Sequence, residues 1–286
     1  MNDKPISPPN ATSRMIERRD AFLRTMTERR ALMGILNVTP DSFSDGGRFT
    51  GLVAALAQAQ KLVADGADIV DVGAESTRPG HTPISADEER ARLEPLLDAL
   101  LAEVDAPFSI DTYKAATARF AVERGVCVVN DVWGMQKDRA MADTIAETGA
   151  AVVVMHNRES VDPELDIVAD MKRFFEKSLD LARQAGVLRA HMLLDPGVGF
   201  GKTKEQNLAA LRATDDLARE YGLPVLIGVS RKSLFGQLLG AAVDARLIAT
   251  IAANLATAAR GARVFRVHDV AEHKAAFAVW DAIEHG

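Results

Sequence analysis

Eight short apolar runs along this chain end on polar side chains, and those ends hold most of the residues that could do chemistry. They are Asn37, the segment Glu75, Ser76, Thr77 and Arg78, then Asp111, Asn130, His156 and Asp195. The triplet Ser230, Arg231, Lys232 and the triplet Arg266, Val267, His268 complete the set. Carboxylates accept from ring N–H and exocyclic amino groups, and amides both donate and accept. The Asp and Asn members therefore suit the edge of a planar, amidine-like heterocycle. Lys and Arg together with His suit an anion such as phosphate or pyrophosphate. Arg266 and His268 lie two apart, so on a strand their side chains share a face. No Cys/His cluster has zinc-site spacing, whereas an oxygen donor such as Asn37, completed by substrate phosphates, suits Mg²⁺. Taken singly, each residue could be a helix cap or a satisfied strand-end hydrogen bond. That reading does not account for eight ends at once, and it accounts least for the cations.

The elements that must position these ends alternate regularly. The apolar runs cover 32–38, 68–73, 107–111, 126–130, 151–156, 191–195, 224–230 and 263–268, each too short for a helix. Helical patterns occupy 53–65, 87–101, 114–124, 165–185, 205–220, 245–260 and 270–284, with Ser85 and Glu88 as a capping box and Asp244 as a second cap. Continuous apolar strands are buried on both faces, as parallel strands between helices are. Eight such units over roughly 240 residues predict an α/β fold, a (β/α)₈ TIM barrel in a single domain. A doubly wound open sheet is the alternative, but it gathers its ligand at one or two strand ends rather than at nearly all of them. The barrel is expected over 31–286. Residues 1–30 form an extension, polar and Pro-rich to residue 10 and disordered there, then an arginine-rich helix over 13–30.

Composition narrows the function classes. Of 286 residues, 48% are hydrophobic and 26% charged, as in an ordinary folded domain, and the formal net charge of −6 argues against a nucleic-acid binder. No apolar run reaches membrane-span length and the N-terminus lacks signal-peptide order, so the expectation is a cytoplasmic protein with no membrane association. The single cysteine, Cys127, lies inside VCVVN and reads as a buried, inert thiol. The helical segments 245–260 and 275–283 are apolar around more of their circumference than one buried face requires, which predicts a homodimer through the C-terminal helices.

Two loops, NVTPDSFSDGG (37–47) and GAESTRPGHTP (73–83), are rich in Gly and Pro and read as lids over a barrel mouth. A third, DPGVGFGK (195–202), is Gly-rich without Walker spacing. In SRKSLFGQLLG (230–240) a short helix follows the seventh strand, a recurrent anion-holding place in this fold.

These motifs together resemble the dihydropteroate synthase family. MGILNVTPDSFSDGG (33–47) and ESTRPG (75–80) are similar to its two signature segments, and SIDT, VNDV, LLDPGVGFGK, GVSRKS and RVHD follow in the same order. The resemblance, over about residues 31–284, implies a barrel that condenses 6-hydroxymethyl-7,8-dihydropterin pyrophosphate with 4-aminobenzoate, releasing pyrophosphate. It implies that Asp111, Asn130, Asp195 and Lys232 hold the pterin and that Asn37 ligates Mg²⁺. Thr77, Arg78, Arg266 and His268 would meet the pyrophosphate end, and Phe43, Pro79, Phe200 and Ser230 the 4-aminobenzoate. Asp111, Lys232, Arg266 and His268 would be the catalytic set; no nucleophile is implied. Small departures are Asn157 and Arg158 after His156, Val198, and Ala74. Three other readings stay open: a pterin-dependent methyltransferase with a corrinoid partner, a Schiff-base aldolase using Lys232, and a non-catalytic pterin-binding protein.

Overall fold

The computed structural model describes residues 11–38, 48–75 and 82–285. The expected segments 1–10, 39–47 and 76–81, and with them Phe43, Thr77, Arg78 and Pro79, lie outside the described residues.

Eight parallel strands form one sheet: β1 (Ala31–Asn37), β2 (Ile69–Gly73), β3 (Phe108–Asp111), β4 (Val128–Asp131), β5 (Ala151–Met155), β6 (Met192–Asp195), β7 (Leu226–Ile227) and β8 (Val264–Val267). Neighbours run β6-β5-β4-β3-β2-β1-β8-β7. The two ends meet through a parallel bridge between Leu194 and Val225, with Leu194 N–H donating to Pro224 O at 3.0 Å, so the sheet closes. All residues of β2 to β7 are buried, as expected for strands covered by helices outside and packed side chains within.

The helices are α1 (Ala11–Glu28), α2 (Arg48–Asp65), α3 (Ala86–Glu103), α4 (Ala115–Arg124), α5 (Met141–Thr148), α6 (Ile167–Ala185), α7 (Lys204–Arg212), α8 (Thr214–Tyr221), α9 (Ser233–Leu239), α10 (Leu247–Ala258) and α11 (Val270–His285). The expected helix over 205–220 is two helices, because the chain leaves helical geometry at Ala213 and the Thr214 hydroxyl bonds back to Leu211 O at 2.8 Å. Ser85 accepts from Glu88 N–H at 3.1 Å as expected. The reciprocal capping box is found instead at Thr203 and Gln206. Asp244 does not cap α10: it lies in a 3₁₀ turn over Val243–Arg246, and the residue ahead of α10 is Arg246.

Helix α1 belongs to the same packing unit as the barrel. Met15, Phe22 and Met26 are buried in its core. Arg18 reaches Val104 O at 3.4 Å and Asp105 at 3.2 Å, and Arg19 reaches Gly149 O at 2.5 Å. Those carbonyls precede β3 and β5, so α1 covers the N-terminal end of the barrel and leaves the other end for chemistry. No single helix among the described residues is long and apolar enough to cross a membrane.

Candidate active site

At the C-terminal ends of the strands lies a cavity of 710 Å³. Its walls include Asn37, Asp111, Asn130, Met155, Asp195, Phe200, Ser230, Lys232, Arg266 and His268. Every described residue expected to bind substrate or metal is therefore brought to one chamber by six different strands, and Arg266 and His268 do share its wall.

The floor is a charged cluster that includes a residue the strand-end reading missed. Asp71, in the middle of β2, is fully buried. Its Oδ2 accepts from Arg266 Nε at 2.6 Å and from Asn130 Nδ2 at 3.1 Å, while the other arm of Arg266 donates to Asp111 Oδ2 at 2.9 Å. The available signal was an acid interrupting the apolar run DIVDVG, at a position that points inward. Asp71 Oδ1 and Asp111 Oδ1 are buried without a hydrogen-bond partner among the described residues. A buried carboxylate oxygen in that state is an acceptor aimed at a donor from outside the chain. Burial pushes Asp111 up to about 7 against the pull of Arg266, with Asp71 and Glu89 adding to the rise. Burial also raises Asp195, which Lys232 opposes.

Lys232 stands just before α9 and makes no side-chain cap. Its ammonium instead bonds Val198 O and lies 4.5 Å from the Phe200 ring centroid. Burial lowers it to about 8, against the pull of Asp195 and Asp111. Above it, Ser230 Oγ is 2.9 Å from His268 Nδ1 and accepts from His268 N–H at 3.2 Å. Arg231, with φ of 56°, is turned onto Asp269.

The Gly-rich loop 195–202 is locked from beneath. Lys202 is buried and donates to Gly197 O at 2.8 Å, Phe200 O at 3.1 Å and His156 O at 3.5 Å. Gly197 has φ of 67°, and a Cβ there would fall 1.8 Å from His156 O, so no other residue fits. His156 itself is not part of the chamber. It is fully buried, with Nε2 3.2 Å from Asp170 Oδ2 and its ring edge-on to Phe174 at 5.0 Å. Burial pushes it down to about 3, and its neighbour Met155 faces the cavity in its place. Cys127 is buried, hydrogen-bonded to Phe108 O at 3.4 Å and pushed up to about 12, as an inert thiol should be.

Residues 33–268 match the family of pterin binding enzymes. The dihydropteroate synthase of Clostridium beijerinckii is 42% identical over 257 residues, 90% of this chain and 95% of that protein. Among solved structures, dihydropteroate synthase from Clostridium difficile in the presence of pteroic acid is 46% identical, with a TM-score of 0.86 over 91% of this chain and 98% of that one. The Xanthomonas albilineans enzyme with 4-aminobenzoic acid is 40% identical, with a TM-score of 0.85 over 91% and 94%.

Proposed function

Because the chain belongs to the dihydropteroate synthase family of pterin binding enzymes, we propose that its chamber condenses 6-hydroxymethyl-7,8-dihydropterin pyrophosphate with 4-aminobenzoate to give 7,8-dihydropteroate and pyrophosphate. The observation that carries this reading is the floor, where Asp71, Asp111, Asn130 and Asp195 surround Arg266 and Lys232 and two carboxylate oxygens have no hydrogen-bond partner among the described residues.

Asp111, Asn130 and Asp195 bind the amino-pyrimidine edge of the pterin, and Lys232 accompanies Asp195 there. Breaking the CH₂–O bond leaves a pterin-methyl cation and a pyrophosphate anion. The acids of the floor stabilise the cation, while Arg266 and His268, on one face of β8, hold the anion as it separates. The aromatic amine of 4-aminobenzoate then forms the new C–N bond and gives up one N–H proton, which the released pyrophosphate or water takes. Ser230 and Phe200 orient that second substrate, and the Ser230–His268 hydrogen bond fixes the imidazole beside it. The roles of Thr77 and Arg78 toward pyrophosphate, and of Phe43 and Pro79 toward 4-aminobenzoate, remain expectations of the family resemblance.

The donor chemistry fits Mg²⁺. Gly73 separates Asn37 from Asp111, and a Cβ there would lie 3.6 Å from Asn37 Oδ1 and 3.8 Å from Asp111 Oδ2. Asp111 Oδ2 already accepts from Arg266, which leaves Asn37 Oδ1 as the hard oxygen donor, and Mg²⁺ is satisfied by one or two protein oxygens plus phosphates and water. Among the described residues no group of three or more His, Cys, Asp or Glu could hold a metal by itself, so Asn37 would share the ion with substrate. When bound, Mg²⁺ would neutralise charge on the leaving pyrophosphate.

Incubating the purified protein with both substrates and Mg²⁺ should yield dihydropteroate, and its absence would remove the reading. A cytoplasmic location belongs to the same proposal, and the buried Cys127 is compatible with a reducing compartment. The outer faces of α10 and α11 remain apolar in the fold, with Ile248 81%, Val279 63% and Ile283 76% exposed. That surplus supports a homodimer through these helices. Light scattering should return twice the chain mass, and a concentration-independent monomer would refute the assembly.

A further inference from the structure

Glu89 lies on α3 yet is fully buried, and acids are almost never so placed unless paired. Its Oε2 accepts from Thr117 Oγ1 at 2.9 Å and from Lys114 Nζ at 3.0 Å, and the Thr112 hydroxyl also bonds the carboxylate. Lys114 makes a second ion pair with Glu75, and its backbone N–H donates to Thr112 Oγ1 at 3.2 Å. Glu75 Oε1 in turn accepts from Tyr113 O–H at 3.1 Å and from Ile84 N–H at 3.3 Å. Two acids therefore share one part-buried cation, and between them they hold three residues of the turn after Asp111, Thr112, Tyr113 and Lys114, together with Thr117 in the first turns of α4. The Glu75–Ile84 bond also pins the chain on either side of 76–81.

Stability alone does not explain this arrangement. A buried ion pair is commonly no better than apolar residues of the same volume, so a chain of two acids and one lysine would be replaceable if its task were packing. What the network does fix is direction. Asp111 is the last residue of β3, and the segment that immediately follows it has its side chains anchored to α3 rather than left to loop geometry. We propose that Glu89 and Lys114 are positioning residues for the condensation, holding Asp111 on the pterin and the root of the second loop in register through one ionic chain anchored on the buried Glu89. This rests on the reading that Asp111 binds the pterin. The charged groups facing Asp111 are Arg266, Lys232, Asp71 and Glu89, so Glu89 acts on it through charge as well as through the turn.

Three variants, Glu89→Gln, Glu89→Met and Lys114→Met, separate positioning from packing, with kinetics measured well below each thermal midpoint. Positioning predicts a kcat at least tenfold lower in all three and pteroic acid bound at least tenfold more weakly by calorimetry. Glu89→Met should show these losses even where its thermal midpoint equals that of the parent. Activity and affinity that simply follow the midpoint, with Met restoring all of them together, would make Glu89 a packing residue and overturn the proposal. Asp111→Asn is run alongside. Unchanged pteroic acid affinity in that variant would instead overturn the pterin reading of Asp111, and so distinguishes the two failures.

Discussion

The two ends of this barrel use buried side chains for opposite purposes. At the N-terminal end, α1 lays Met15, Phe22 and Met26 into the core, and the arginines at its edge reach carbonyls that lead into β3 and β5. Burial there is mostly apolar, the ordinary source of stability. At the C-terminal end, Asp111, Asn130, Asp195, Lys232 and Arg266 line one chamber over the buried Asp71, with two carboxylate oxygens unpaired among the described residues. Charges brought so far out of water cost stability unless fully paired. The comparison points to a division of labour: eight strands connect an end packed for stability to an end that crowds charge for chemistry.

Breaking the mouth should have the largest effect, and it should be on rate. Arg266→Ala removes the cation that two acids share and that the pyrophosphate needs. We expect kcat/KM to fall about 10³-fold, equivalent to ~4 kcal/mol of transition-state stabilisation, while the thermal midpoint falls as well, because Asp71 and Asp111 lose the cation they share. A variant that unfolds easily but retains most of its rate would reverse the proposed division. Breaking the base should do the converse. Phe22→Ala should cost about 3 kcal/mol in urea unfolding, the lower end for such a truncation because the flexible side chains of Met15 and Met26 can partly fill the gap. Its kcat should stay within twofold of the parent, and a rate loss comparable to that of Arg266→Ala would show that the two ends are coupled.

The same contrast explains what could be read from sequence. Strand ends were legible because a parallel strand covered on both faces is a continuous apolar run, and its last residue is where polarity resumes; seven of the eight strands lie where those runs predict them. The seventh run is the exception. Only Leu226–Ile227 is strand, since Pro224 has no N–H to donate and Gly228 comes close to Asp195, where a Cβ would lie 3.4 Å from Oδ2. Helix α5 was not singled out, because at eight residues it is too short to show clear periodicity. Asp71 was missed for a different reason. It works from inside a strand rather than at its end, and the partners that make it functional, Asn130 and Arg266, are 59 and 195 residues away. His156 shows the reverse failure, since a polar strand end was satisfied by Asp170 on α6 rather than by the cavity. Periodicity reports burial, but it does not report which buried groups face one another.

The finest test of the comparison is how stability responds to pH when Asp111 is neutralised. In the folded protein its carboxyl is raised from 3.8 to about 7, first by burial. Between those values the folded state keeps a proton that the unfolded chain releases, so stability falls as pH rises from about 4 to about 7, and the whole cost is present above that. Asp131, buried and raised to about 6, contributes with the same sign. Lys232, lowered from 10.5 to about 8, acts oppositely and at higher pH, because the unfolded chain there binds the extra proton and stability is regained as pH rises from about 8 to 10.5. Asp111→Asn removes the first of these contributions, together with the pull of the Asp111 carboxylate on Lys232. Its thermal midpoint, relative to the parent, should therefore be a few degrees higher at pH 8 than at pH 5, where the parent carboxyl is already mostly protonated. Phe22→Ala, which touches no titrating group, should lower the midpoint equally at both. An Asp111→Asn shift that is the same at pH 5 and pH 8 would mean that Arg266 compensates the buried carboxylate in full, and the mouth would then be no more strained than the base.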